Sequence, residues 1–193
     1  MPSAVVTSTS TVASMKPLLF LDIDGVLNGH TRRFAEQYPV AIERSDIPAS
    51  PFVRQVKEGQ TLNIVVRLDP RVRDWLAELS EHFEIVWAST WEGAANDYLA
   101  PLLGIAPLDV VNHSREQAHF GEIKNGASTM WKWRTIVKFA RNRPLAFVDD
   151  KAWGLQRATD LRGGAPTLVL VPRYGLSRRD VTTLVSFAKS LKA

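Results

Sequence analysis

The sequence predicts a three-layer α/β/α domain on a mainly parallel five-stranded sheet, and three observations carry that expectation. Short apolar runs recur along the chain, amphipathic helical stretches separate them, and several of the runs end in acidic or hydroxyl groups. Continuous apolar strands suit a parallel sheet covered on both faces. Alternating strands and helices suit a doubly wound topology.

The elements follow in order. Residues 1–16 are rich in Ser, Thr and Val with no charge before Lys16, and read as a disordered tail. They lack the basic start and long apolar stretch of a secretory signal. Leu18–Asp24 reads as a buried strand. The stretch 28–60 holds Pro39, Pro48, Pro51 and Gly59, and reads as a flap or small lid inserted over the carboxyl end of that strand, within one domain spanning 17–193. Asp69-Pro70 supplies an N-cap and a first-turn proline for a helix that repeats Val72, Trp75, Leu76 and Leu79. Glu84–Ser89 is a second strand and Pro107–Asn112 a third. Trp133, Ile136, Val137 and Ala140 mark another helix, with Arg134, Lys138 and Arg141 on its solvated face. Leu145–Asp149 and Thr167–Val171 complete the sheet. Ser177 with Asp180 opens a last helix carrying Val181, Leu184, Val185, Ala188 and Leu191.

Composition bounds the function. The chain has 193 residues, 45% hydrophobic and 23% charged, as in a globular domain. It has no cysteine, which excludes disulfides, thiol nucleophiles and cysteine-held metals, and fits a reducing, cytoplasmic location. A net charge of +4 and a pI near 9.6 permit a polyanionic partner without demanding one. No apolar run approaches the roughly 20 residues of a membrane span. His30, His82, His113 and His119 show no ligand spacing and read as surface or loop residues. Oligomeric state is not written in the sequence.

The chemistry sits at strand ends, where such sheets bind ligands. The first strand ends Asp22-Ile23-Asp24-Gly25, the second Ser89-Thr90, the fourth Asp149-Asp150. If these strands are neighbours, four carboxylates crowd one rim and repel one another unless a cation compensates. Hard oxygen ligands without histidine or cysteine point to Mg²⁺. Trp91, Trp131 and Trp153 lie near these strands, to stack a base at the site mouth or to pack. Trp75, Trp87 and Trp133 occupy periodic core positions. Arg32-Arg33, the Arg134/Lys138/Arg141 face and Arg178-Arg179 serve either as phosphate contacts or as solvated surface.

LDIDGVLN resembles motif I of the haloacid dehalogenase-like (HAD) phosphohydrolases, WAST their motif II and PLAFVDD their motif IV, in the same order. More narrowly, WASTWEGAAN, Trp131-Lys132 and RPLAFVDD resemble the HAD domain of Swiss-Army-Knife RNA-repair proteins. The resemblance spans about Leu18 to Leu191. It implies a Rossmannoid fold, with too short an insertion for a full helical cap. It also implies a Mg²⁺-dependent phosphatase that works through an aspartyl-phosphate on nucleotides or nucleic-acid ends. Asp22 is then the nucleophile and Asp24 the general acid/base, with its backbone carbonyl on the metal, while Gly25 allows the sharp turn. Ser89 or Thr90 binds a phosphoryl oxygen. Lys132 neutralises the phosphoryl group, with Lys124 and Lys138 as rivals. Asp150 ligates Mg²⁺ directly and Asp149 holds the metal's waters or Lys132, with the reverse order open. Two further readings stay open: a nucleic-acid-binding or interaction module on the same scaffold, and a phosphotransferase.

Overall fold

A computed structural model describes residues 15–29, 36–43, 60–113, 130–155 and 162–192; at 130 and 131 the description covers the backbone only. Residues 1–14 of the expected tail, most of the 28–60 stretch, His30, Arg32-Arg33, His119, Lys124 and the Trp131 side chain lie outside it.

Five strands form the main sheet: β1 (Leu18–Leu21), β4 (Glu84–Trp87), β5 (Asp109–Val110), β6 (Leu145–Val148) and β7 (Thr167–Leu170). Their order is β5-β4-β1-β6-β7, and every pairing is parallel. β1 and β6 are buried along their whole length, as their unbroken apolar runs require. The strands stop one to three residues short of the predicted ends. After Asp22 donates its N–H to Val148 at 3.0 Å, the chain turns around the Ile23 carbonyl, which accepts from Val26, Leu27 and Asn28.

Side chains alternate across the sheet with period two. Leu18 and Phe20 join Trp133, Ile136 and Phe147 on one face, under α3 (Met130–Ala140). Leu19 and Leu21 join Trp75, Leu76, Leu79, Val181 and Leu184 on the other, under α1 (Val72–His82) and α4 (Arg178–Ser190). This gives the three layers. Ser177 and Asp180 form the reciprocal capping box of α4. At α1 the structure corrects the expected cap. Arg71 occupies the N-cap, and Asp69 lies in the preceding turn, where it accepts the Arg71 N–H at 2.9 Å.

The insertion contains an antiparallel ribbon, β2 (Glu36–Glu43) with β3 (Thr61–Leu68), in register from Glu36 opposite Leu68 to Glu43 opposite Thr61. It runs beyond residue 60, directly up to the turn before α1. Asn28 ties it to the turn after β1: its Oδ1 accepts the Arg67 N–H at 2.8 Å, and Gly29 donates to the Arg67 carbonyl at 3.2 Å. A π-helical turn (Ala95–Leu99) runs into α2 (Ala100–Leu103), which ends at Gly104 in the left-handed conformation. Asn96 buckles this segment to the sheet, accepting from Trp87 Nε1 at 3.0 Å and donating to the Leu108 carbonyl at 2.8 Å. Among the described residues, no helix is long and apolar enough to cross a membrane.

Candidate active site

The strand order reverses between β1 and β6. The chain winds outward from β1 through β4 and β5, then returns to β6 and β7 on the other side. Ligands of open α/β sheets bind at such a switch point, and here both strands end in acids. Asp22, Asp149 and Asp150 each offer a carboxylate oxygen, all within 4.8 Å of one another.

Lys132, on the first turn of α3, enters this cluster from the opposite layer. Its Nζ lies 2.9 Å from Asp22 Oδ2 and 2.7 Å from Asp149 Oδ2, and all three residues are buried. The second oxygen of Asp149 accepts the Lys151 N–H at 2.7 Å. Burial pushes the Asp22 carboxyl up to about 7, with the Asp149 charge adding to the rise and the Lys132 ammonium opposing it. Burial alone draws the lysine down, but its two carboxylate partners more than reverse that and raise it above the ordinary lysine range. Three carboxylates against one ammonium leave a net negative charge in a desolvated place, which is costly without a further cation. An all-oxygen, all-carboxylate donor set fits a hard divalent ion.

Gly25 is required twice. Its φ is +84°, and a Cβ there would sit 2.4 Å from the Asp150 carboxyl carbon. The missing side chain therefore lets Asp150 lie against the turn that follows Asp22.

Asp24 points elsewhere. Its Oδ1 accepts from Asn28 Nδ2 at 2.7 Å and its Oδ2 from Trp91 Nε1 at 2.9 Å, and its carboxylate is not one of the clustered three. Trp91 is only 4% exposed, so its ring is enclosed in the core. That corrects the expectation of a stacking platform: the indole anchors Asp24 through its N–H. Trp75, Trp87 and Trp133 are core residues as expected, whereas Trp153 is exposed.

At the end of β4, Ser89 is buried, and its Oγ has no hydrogen-bond partner among the described residues; Thr90 is half-buried. A buried orphan hydroxyl is costly unless a ligand completes it. Beyond it, Glu92 is buried at φ +46°, and its Oε1 accepts the N–H of His113 at 2.8 Å. His113 lies in a loop, one of the two expected alternatives, but it is fully buried and not a surface residue. Sequence reasoning passed over Asn28 and this Glu92–His113 contact. The Asn ending DGVLN was the one local signal available for the first, and nothing local marks the second.

The family model describing the HAD domain in Swiss Army Knife RNA repair proteins matches residues 18–181. No curated protein matches the chain.

Proposed function

The chain belongs to the family of HAD domains in Swiss Army Knife RNA repair proteins, a HAD-type phosphohydrolase lineage, and from that premise we propose that it is a Mg²⁺-dependent phosphomonoester hydrolase acting through Asp22 on nucleotides or nucleic-acid ends. The observation that carries the reading is the buried Lys132 ammonium bridging Asp22 and Asp149 beside Asp150. A binding module has no use for so costly a cluster.

The residues divide the work. An Asp22 oxygen attacks phosphorus, a P–O(Asp22) bond forms, and the ester P–O bond breaks. Asp24 gives the leaving oxygen its proton, then takes one from the water that attacks the aspartyl-phosphate, freeing inorganic phosphate and Asp22. Asn28 and Trp91 hold Asp24 for both transfers. The Ser89 hydroxyl donates to a phosphoryl oxygen, and Lys132 offsets the charge of nucleophile and phosphoryl group. Asp22 and Asp150 would hold Mg²⁺ with the Asp24 carbonyl, while Asp149 fixes Lys132. Bound there, the cation supplies charge neutralisation for the transferring group.

The test is phosphate release from p-nitrophenyl phosphate and from phosphorylated oligonucleotides, with Mg²⁺ and with chelator. Asp22→Asn should lose on the order of a thousandfold or more in kcat. Wild-type turnover in that variant would remove Asp22 as the nucleophile.

A further inference from the structure

The chemistry at Asp22 leaves a second concave feature unused. A cleft of about 500 Å³ lies between the turn after β1, the end of β3 with the start of α1, and the loop from β7 to α4. Among the described residues, its walls carry Arg67, Arg71, Arg173, Arg178 and Arg179 against only Asp69 and Asp180. Two of these arginines are engaged: Arg71 makes a two-pronged contact with Asp69, and Arg178 pairs with Glu78. Asp180 is taken by the capping box of α4. Arg67, Arg173 and Arg179 have no carboxylate partner among the described residues. The cleft is thus a cationic surface whose own acids are already occupied, and fixed anions are what it lacks.

An aromatic surface lies in the same wall. Tyr174 is 65% exposed, and the Arg173 guanidinium sits 5.0 Å from its ring centroid. An exposed ring beside guanidiniums offers a base a stacking face and its flanking phosphates a charge. A phosphoprotein has little to place on that ring and no regular series of phosphates for the arginines.

The cleft is also joined to the acid cluster through one turn of the chain. Val26, Leu27 and Gly29, which form one wall, directly follow Asp24-Gly25 in the chain. The β7–α4 loop is locked onto that turn: Leu176 donates its N–H to the Val26 carbonyl at 2.8 Å. At Gly175, φ is +93° and a Cβ would come 3.2 Å from that same oxygen, so the close approach needs glycine.

We propose that this cleft binds the internucleotide phosphates and a base of a single-stranded polynucleotide whose terminal phosphomonoester enters the site at Asp22. The inference rests on the phosphatase reading and narrows its substrate class. A mononucleotide that commits its one phosphate to Asp22 has none left for the arginines, so the true substrate is a strand.

The test uses the full chain and Arg173→Ala/Arg179→Ala, both exposed positions outside the catalytic set. Three substrates are compared over a salt series: p-nitrophenyl phosphate, a 3′- or 5′-phosphorylated mononucleotide, and a short oligonucleotide with the same terminal phosphate. The variant should lose about tenfold or more in kcat/KM on the oligonucleotide alone. Its log–log salt slope should shrink by about 1.4, the expectation for two phosphate contacts with a single strand. An equal loss on all three substrates, or none on the oligonucleotide, overturns the proposal. So does a wild-type preference for a phosphopeptide over the oligonucleotide.

Fluorescence anisotropy with a labelled, unphosphorylated oligonucleotide keeps the two claims separable. If wild type hydrolyses nothing, the phosphatase reading fails. The cleft then stands or falls on whether the double variant weakens this binding.

Discussion

The acid cluster at the ends of β1 and β6 and the arginine cleft beside it share the turn 22–29 and handle charge in opposite ways. In the cluster, Asp22, Asp149 and Lys132 are buried and within ion-pair distance. In the cleft, Arg173 and Arg179 are exposed, without acidic partners among the described residues. Buried charges interact strongly and tolerate no missing member; exposed ones are screened and act mainly on encounter and orientation. The fold thus places a rigid reactive centre next to a forgiving surface, and the two should respond to mutation on very different scales.

The largest effect belongs to the cluster. Lys132→Met leaves the acids facing one another without their cation. Urea unfolding without divalent ions should show a loss of about 3–5 kcal/mol, and phosphatase activity should vanish with it. A variant as stable as wild type would mean that the cluster is not charged as described.

Trp91→Phe is next, and sharpens the comparison by keeping an aromatic, though smaller, side chain while deleting one hydrogen bond to Asp24. A hydrogen bond to a charged group contributes about 1.5–3 kcal/mol, so kcat on alkyl phosphates should fall by about tenfold or more. On p-nitrophenyl phosphate, whose leaving group needs little protonation, the fall should be smaller. Equal losses on both substrates would make Trp91 a packing residue only.

The smallest effect concerns pH. The Asp22 carboxyl is raised from 3.8 to about 7 in the folded, metal-free protein. Between those values the folded state keeps a proton that the unfolded state has released. This group's contribution to stability therefore falls as pH rises through that window, and levels off above about 7. A divalent cation takes the ionised form, so Mg²⁺ should raise Tm by a few degrees more at pH 8 than at pH 5. Equal shifts, or none, would count against Asp22 as a ligand.

Most of the sheet was legible because β1, β4, β6 and β7 are nearly unbroken apolar runs, and α1, α3 and α4 have clear helical periods. The acids at strand ends were legible for the same reason: carboxylates closing a buried strand demand a use. The β2–β3 ribbon was not, since Pro39 sits inside β2 and proline argues against a strand. Nor was the partner of Asp24, because Trp91 lies 67 positions away and only the fold brings it near. Sequence put Asp149 on the metal's waters or on Lys132 with the reverse order open, and the structure puts Asp149 on Lys132. It left Ser89 and Thr90 open as well; Ser89 is buried and Thr90 half-buried. Arg178-Arg179 stood out in the sequence, but the cleft did not, because Arg67, Arg71 and Arg173 come from separate segments and meet only in three dimensions.

The most direct measurement is to trap the phosphoryl group itself. Asp24→Asn should still accept phosphate from p-nitrophenyl phosphate, whose leaving group needs little acid help, but should be slow to hydrolyse the adduct. Acid quenching followed by peptide mass analysis should then find phosphate on Asp22, approaching one per chain, after a burst of p-nitrophenol. A burst with no adduct, or an adduct on any other residue, would contradict Asp22 as the group that accepts phosphorus.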